Sequence, residues 1–392
     1  MKVNKKVGIV VTSSISAAGG TGRIINDLIK SLNELSYEVH LFSPFTVNIK
    51  KIDSYYGSIQ IKRVYSPRGF KKFLCKEGIL SRKLMKKEFV EMVNNVDAVI
   101  DVNGGILHRY LPKNFDKERY IIWRLGRISS IESGKDSWSS KNFKKQIKEF
   151  IRKLFFLHQN KKYNSLSKEY KIYAVDEWTK NELIKYLGLS PEKNCLYPPI
   201  QINEFRYDKR KKKDQIVIFG RIAPNKRIDE SIKLFFIGTQ KFPKYNLIIM
   251  GGTTCDSKGY IRYLYQMIRS FKGEKRVEFI KNPSFEKLKE ILLNSKILLE
   301  SEIDSMTMTS LEAMAAGCLI LAHKEGGTYL KVLDKGKFGS GFNNVKEGSK
   351  KLELILKGVE NNTIKINKSM KRAEFFSQEK FIRHLKNILK LI

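Results

Sequence analysis

The sequence predicts an α/β protein built from two doubly wound parallel domains, and three observations carry that reading. The chain has 392 residues, more than one ordinary core takes and comfortable for two. The run VGIVVTSS (7–14) is a continuous apolar strand of the kind buried on both faces. A glycine loop, a helix-period segment and a second strand follow it, which is how a parallel sheet begins. The same grammar restarts after a charged stretch near residue 213. Apolar residues make up 42% of the chain, so a globular protein is expected rather than a disordered one.

The first half reads as follows. ISAAGGTGR (15–23) is the glycine loop, IINDLIKSLNELSY (24–37) the helix and EVHLFSP (38–44) the second strand. Further strands are expected at SIQIKRVY (58–65), AVIDVN (98–103), YIIWRL (120–125) and KIYAVD (171–176), with basic helical segments between them. LYPPI closes this half and RYDKRKKKD (206–214) reads as a charged linker. In the second half, strands are expected at QIVIFG (215–220), YNLIIMGG (245–252), VEFIKN (277–282), ILLES (297–301) and CLILAH (318–323). Helices lie between them, the last being TSLEAMAAG, stopped by Gly317. Two such domains facing each other leave a cleft at the carboxyl ends of their strands, where this architecture binds ligands.

The chain carries 75 basic and 40 acidic residues, a formal charge of 75 − 40 = +35. Such a field attracts nucleic acid, anionic lipid or phosphorylated substrates; a merely lysine-rich surface is the plainer reading. No zinc spacing, RNP motif or aromatic-basic repeat accompanies it, so no nucleic-acid partner is expected. The run 141–163, KNFKKQIKEFIRKLFFLHQNKKY, is basic and amphipathic. It suits an anionic membrane surface or, equally, a helix docked on its own domain. No apolar run reaches the roughly 18 residues of a membrane span, and MKVNKKVGIVV reads as a first strand rather than a signal peptide. Cys75, Cys195, Cys255 and Cys318 form no CxxC pair. A reduced, cytoplasmic compartment fits them, with the membrane face as a peripheral location.

Three stretches point to chemistry. In FGRIAPNKRID (219–229), Arg221 offers a planar fork of donors and Lys226 a compact charge ahead of a helix start. That set suits a diphosphate, although two surface cations would read the same. Gly19 and Gly20 allow close backbone approach to a ligand, and Arg23 follows them; an ordinary tight turn is the alternative. In SEIDSMTMTSLEAMAAG, a polar loop runs into a helix that starts near Thr307 or Met308. Glu312, one turn inside, suits the vicinal hydroxyls of a ribose, and Asp304 those of a second sugar. A cap or a salt bridge would also account for Glu312.

In order along the chain, these motifs resemble those of the GT-B glycosyltransferase family 4, the glycosyl transferases group 1. Gly19-Gly20, the stretch 176–200, GRIAPNK, DSMTMTSLE with EAMAAG, and RAEFFSQEKF (372–381) fall where that family has its landmarks. LYPPI, LEAMAAG and ILAHKEGG are nearest in wording to the α-1,2-mannosyltransferases that extend dolichol-linked oligosaccharides. The resemblance implies two Rossmann-like domains, at 1–200 on the acceptor side and 214–370 on the nucleotide-sugar side. A closing helix within 371–392 would return to the first domain.

It further implies retaining transfer of a hexose, mannose among the options, from a nucleotide-diphosphate sugar to a glycan or lipid-linked hydroxyl. By the resemblance Arg221 and Lys226 hold the diphosphate and Glu312 the ribose. Asp304 and the backbone N–H groups of Thr307 and Met308 hold the sugar, and no cofactor or metal is expected. The sequence departs from the family at Asp304, usually Glu, and at Met306-Thr307, usually Phe-Gly. Arg124 stands where many relatives have a first-domain histidine. His108, in NGGILHR (103–109), is the other candidate for that catalytic position. These departures keep open a catalytically weakened nucleotide-sugar-binding protein on the same fold.

Overall fold

A computed structural model describes residues 5–12, 19–69, 71, 75, 79–102, 106–126, 169–206, 212–253, 257–364 and 367–390. The amphipathic run 141–163, Cys255, residues 13–18 and 103–105, and most of the charged linker lie outside the described residues. The described chain divides into two units. One takes the residues up to 126, 169–199 and the final helix from 378; the other takes 200–377.

The first unit is built on β1 (Lys6–Val11), β2 (Glu38–Phe42), β3 (Arg63–Tyr65), β4 (Ala98–Val102), β5 (Tyr120–Arg124) and β6 (Lys171–Ala174). All pairings are parallel, in the order β3-β2-β1-β4-β5-β6. This is the doubly wound order of mononucleotide-binding halves, with its switch point between β1 and β4. Val7, Ile9, Val10 and Val11 are fully buried because helices cover both faces.

Two elements differ from the sequence expectation. The third strand is three residues long, not eight. It pairs only with His40–Phe42, and residues 58–62 alternate between exposed and half-buried at the sheet's edge. The first helix begins at Gly20, not at Ile24, with Gly19 as its N-cap. Gly20, Thr21, Gly22 and Arg23 are therefore its first turn rather than a loop. Arg23 is buried and faces Asp27 at 3.3 Å, one turn on.

The final helix, Gln378–Lys390, completes this unit. A short 3-10 turn, Glu374–Phe376, and Ser377 separate it from the preceding helix, so the segment expected from residue 372 is broken. Gln378 bonds to Glu34, and the ring of Phe381 lies 5.6 Å from that of Trp123. The Trp123 indole N–H donates to the carbonyl of Leu196 at 2.9 Å.

The second unit repeats the plan with β7 (Gln215–Phe219), β8 (Asn246–Gly251), β9 (Val277–Lys281), β10 (Ile297–Glu300), β11 (Leu319–His323) and β12 (Ser340–Phe342). Their order, β12-β11-β10-β7-β8-β9, is the same doubly wound arrangement, with its switch point between β7 and β10. Phe235, Tyr245, Tyr260 and Phe342 anchor its core. The exits of β7 and β8 touch: a Cβ on Gly251 would fall 1.6 Å from the carbonyl oxygen of Gly220. Glycine is required there by contact alone.

Lys212, part of the stretch that reads from sequence as a charged linker, is buried. Its ammonium donates to the carbonyls of Ser295 and Ala316 at 2.8 Å and of Leu293 at 3.0 Å. These carbonyls end helices Phe285–Asn294 and Met308–Ala315, where a cation meets the negative ends of two helix dipoles. Among the described residues, no helix is long and apolar enough to cross a membrane.

Candidate active site

The carboxyl ends of β7 and β10 bracket the switch point of the second sheet, and the sequence-predicted residues of this unit follow those two strands. After β7 the chain passes Gly220 and the exposed Arg221, buries Ile222, and forms a 3-10 turn over Pro224–Lys226. Pro224 presets that turn at its first position. Arg227 then takes a left-handed conformation, φ 49°, and starts helix Ile228–Gly238.

After β10 the chain carries Glu300, Glu302 and Asp304 on alternate residues and reaches helix Met308–Ala315 through Thr307. Thr307 is the N-cap: its hydroxyl oxygen accepts from the amide of Ser310 at 3.1 Å. The same hydroxyl donates to Glu300 at 3.0 Å. Ala313, Ala315 and Ala316 are fully buried, and these small side chains let the helix sit close to its sheet. Gly317, at φ 72°, ends it, with the amide of Cys318 donating to the carbonyl of Ala313 at 2.8 Å. Glu312 sits in the second turn and is buried.

The loop after β11 supports this one from behind. The Gly327 amide donates to the carbonyl of Asp304 at 2.7 Å. A Cβ on Gly326 would lie 2.9 Å from the carbonyl of Glu302. The Asp304 carboxylate accepts from the amide of Ser305 at 2.8 Å.

Electrostatics single out Lys226. Its ammonium forms an ion pair with Glu302, whose side chain is only 7% exposed against 20% for the lysine. Burial alone would lower the lysine's pKa; the charges of Glu302, Asp304 and Glu300 outweigh it and hold the pKa above the usual value. Burial raises Glu302, Asp304 adds to the rise, and Lys226 and Arg221 oppose it. Glu300 is pushed up to about 8, first by burial and then by Glu302, against the pull of Thr328, Lys226 and Thr307. Glu300 and Glu302 were not singled out in the sequence. Their signal was the alternation of acids at 300, 302 and 304 straight after a buried strand.

The structure thus brings Lys226 and Arg221, after β7, against Glu302 and Asp304, after β10, and Thr307, Met308 and Glu312 follow on the helix that this loop enters. The other predicted residues belong to the first unit. Gly19 and Gly20 follow β1 as the helix start. His108 lies in the 3-10 turn Ile106–Tyr110 after β4. It is buried, with its ring 5.5 Å from that of Tyr170, the surroundings of a packed side chain. Arg124 ends β5, is half-buried, and its carbonyl accepts from the Val175 amide at 2.8 Å. Among the described residues, no group of three or more His, Cys, Asp or Glu side chains is arranged to hold a metal ion.

Two doubly wound units in this connectivity define the GT-B fold, and solved structures share it over the whole chain. Sucrose-phosphate synthase from Thermosynechococcus elongatus superposes with a TM-score of 0.75 at 12% identity, over 99% of this chain and 98% of that one. Anabaena HepE, in complex with UDP and glucose, does so with 0.71 at 14% identity, over 99% and 100%. Residues 199–372 match the family model of the glycosyl transferases group 1. The GDP-Man:Man(3)GlcNAc(2)-PP-Dol alpha-1,2-mannosyltransferase of Homo sapiens is 25% identical over 174 residues, 41% of this chain. Its counterpart in Xenopus laevis is 28% identical over 173 residues. The aligned part spans 35% of these curated relatives' length.

Proposed function

We propose that the protein is a glycosyltransferase that moves a hexose from a nucleotide-diphosphate sugar to a hydroxyl of a glycan or lipid-linked acceptor, with retention at the anomeric carbon. The observation that carries this reading is the meeting of Arg221 and Lys226, after β7, with the Glu300–Thr307 loop and a capped helix start, after β10. Cations, a helix N-terminus and sugar-binding carboxylates on one junction are what a sugar diphosphate needs.

Departure of the diphosphate develops negative charge, and Arg221, Lys226 and the N–H groups at Thr307 and Met308 would stabilise it. Glu312 would accept from the ribose hydroxyls and Asp304 from those of the transferred sugar. A donor phosphate oxygen would take the acceptor's proton on the same face, so no side-chain base is needed. The local likeness to α-1,2-mannosyltransferases favours mannose and a lipid-linked acceptor. The net charge of +35 favours work at an anionic membrane surface.

The test is a panel of UDP- and GDP-sugars, read first by thermal stabilisation and then by transfer. A ligand at 100 times its dissociation constant adds about 2.7 kcal/mol. Stabilisation by one sugar nucleotide, with transfer that survives EDTA, is expected. If no sugar nucleotide stabilises the protein, the reading fails.

A further inference from the structure

We propose that Glu302 is the resident counter-ion of Lys226, and that the donor's diphosphate must take the ammonium from it in order to bind. The inference rests on the reading of Lys226 as a diphosphate ligand and adds a residue that the reading does not contain.

The argument starts from burial. Glu302 is almost wholly shielded from water at the foot of the loop after β10, and Lys226 closes over it from the turn after β7. Its backbone is held as well: the carbonyl leaves no room for a side chain at Gly326, so the loop after β11 fixes the depth of the carboxylate. A buried carboxylate does not give up the cation it is paired with unless something replaces it.

The local charges nearly cancel. Arg221 and Lys226 face Glu302 and Asp304, which makes a poor receptacle for a diphosphate as it stands. Exchange resolves this. The phosphate oxygens take the Lys226 ammonium, and Glu302, left beside Glu300 and Asp304, takes a proton from solvent. The groups bearing on Glu302 are Lys226 and Arg221 after β7 and Asp304 on its own loop; Glu300, held by Thr307 and by Thr328 after β11, bears on Lys226 beside them. Of these only the two cations favour an ionised Glu302, and the diphosphate removes one of them. Glu302 therefore sets the affinity of the pocket without touching the nucleotide.

The test is calorimetric titration with UDP and GDP of the full chain and three variants. Lys226→Met should weaken binding. Glu302→Gln, which frees the ammonium, should tighten it about tenfold, the scale of one charge-assisted hydrogen bond. In the double variant the gain should vanish, because no ammonium is left for Glu302→Gln to free. If Lys226→Met weakens binding but Glu302→Gln leaves it unchanged or weakens it too, Glu302 merely orients the lysine and the proposal is overturned. If Lys226→Met has no effect, the diphosphate role of Lys226 fails first and the proposal falls with it. The unaltered protein offers a second arm should Glu302→Gln not fold. Binding near neutral pH should take up a proton, so the heat should vary with the ionisation enthalpy of the buffer. No proton uptake would equally overturn the exchange.

Discussion

The hydroxyl of Thr307 joins two tasks: it caps helix Met308–Ala315 through the amide of Ser310, and it donates to Glu300 at 3.0 Å. One side chain thereby ties the helix start to the end of β10. The first prediction follows from it. Thr307→Ala should cost about 1–2 kcal/mol, a lost cap together with a lost partner for a buried carboxyl. Thr307→Ser keeps the hydroxyl and should stay close to the parent. Urea unfolding of the two variants checks this, and equal midpoints would remove the role given to the hydroxyl.

Glu300 gives a pH dependence. Its carboxyl titrates at 4.5 in an unfolded chain and near 8 in the fold. Between those values the folded state binds more protons than the unfolded one, so this group makes stability fall as pH rises. Below pH 4.5 and above about 8 its contribution is flat. Glu300→Gln, which can still accept from Thr307, should flatten the fall between those limits. Melting temperatures of parent and variant across that window check it; parallel curves would mean that Glu300 is ionised throughout.

Lys212 should matter far more than its place in a basic linker suggests. Lys212→Met keeps the length of the stem and leaves carbonyls of two helix ends without their donor. A loss of about 2–4 kcal/mol is expected. Lys213→Met, next door and exposed, should cost little. Comparable losses for both would mean that the buried ammonium contributes nothing special.

Asp304 and Glu312 should separate by ligand. Glu312→Gln should weaken nucleotide diphosphate binding by about 1.5–3 kcal/mol, the worth of a hydrogen bond to a charged group. Asp304→Asn should spare the bare nucleotide and reduce transfer, blurring discrimination between sugars. Titration with nucleotide and with sugar nucleotide decides it. Parental behaviour of both variants would move the site elsewhere.

Much of the fold was legible because buried parallel strands announce themselves. The apolar runs of β1, β4, β7, β8 and β10 have no other use in a chain of this kind. Thr307 as a helix start could be read from its own chemistry. What stayed hidden has physical reasons. Helix Val345–Glu360 follows Asn344, whose side chain accepts from the Glu347 amide. The apolar stripe behind that cap is interrupted by lysines, so its helical period is weak in the sequence. The third strand looked long because alternation alone does not show where a neighbour ends. Burial of Lys212 in the run KRKKK, of Arg23 in the first helix, and of Glu300 and Glu302 after β10 depends on what folds over them. Composition makes every one of these residues look solvated.

The helix Gln378–Lys390 packs beside Trp123 and Glu34, yet the ribosome makes it last of all the described elements. Synthesis is vectorial, and domains generally complete in the order in which they emerge. Here the first unit emerges first but lacks a wall until residue 381 is out, after the whole second unit has been translated. During that interval the nascent chain must hold an apolar indole face open. A polypeptide stopped at 377 should therefore show Trp123 fluorescence shifted toward that of water-exposed indole. Adding the helix back as a separate peptide should reverse the shift.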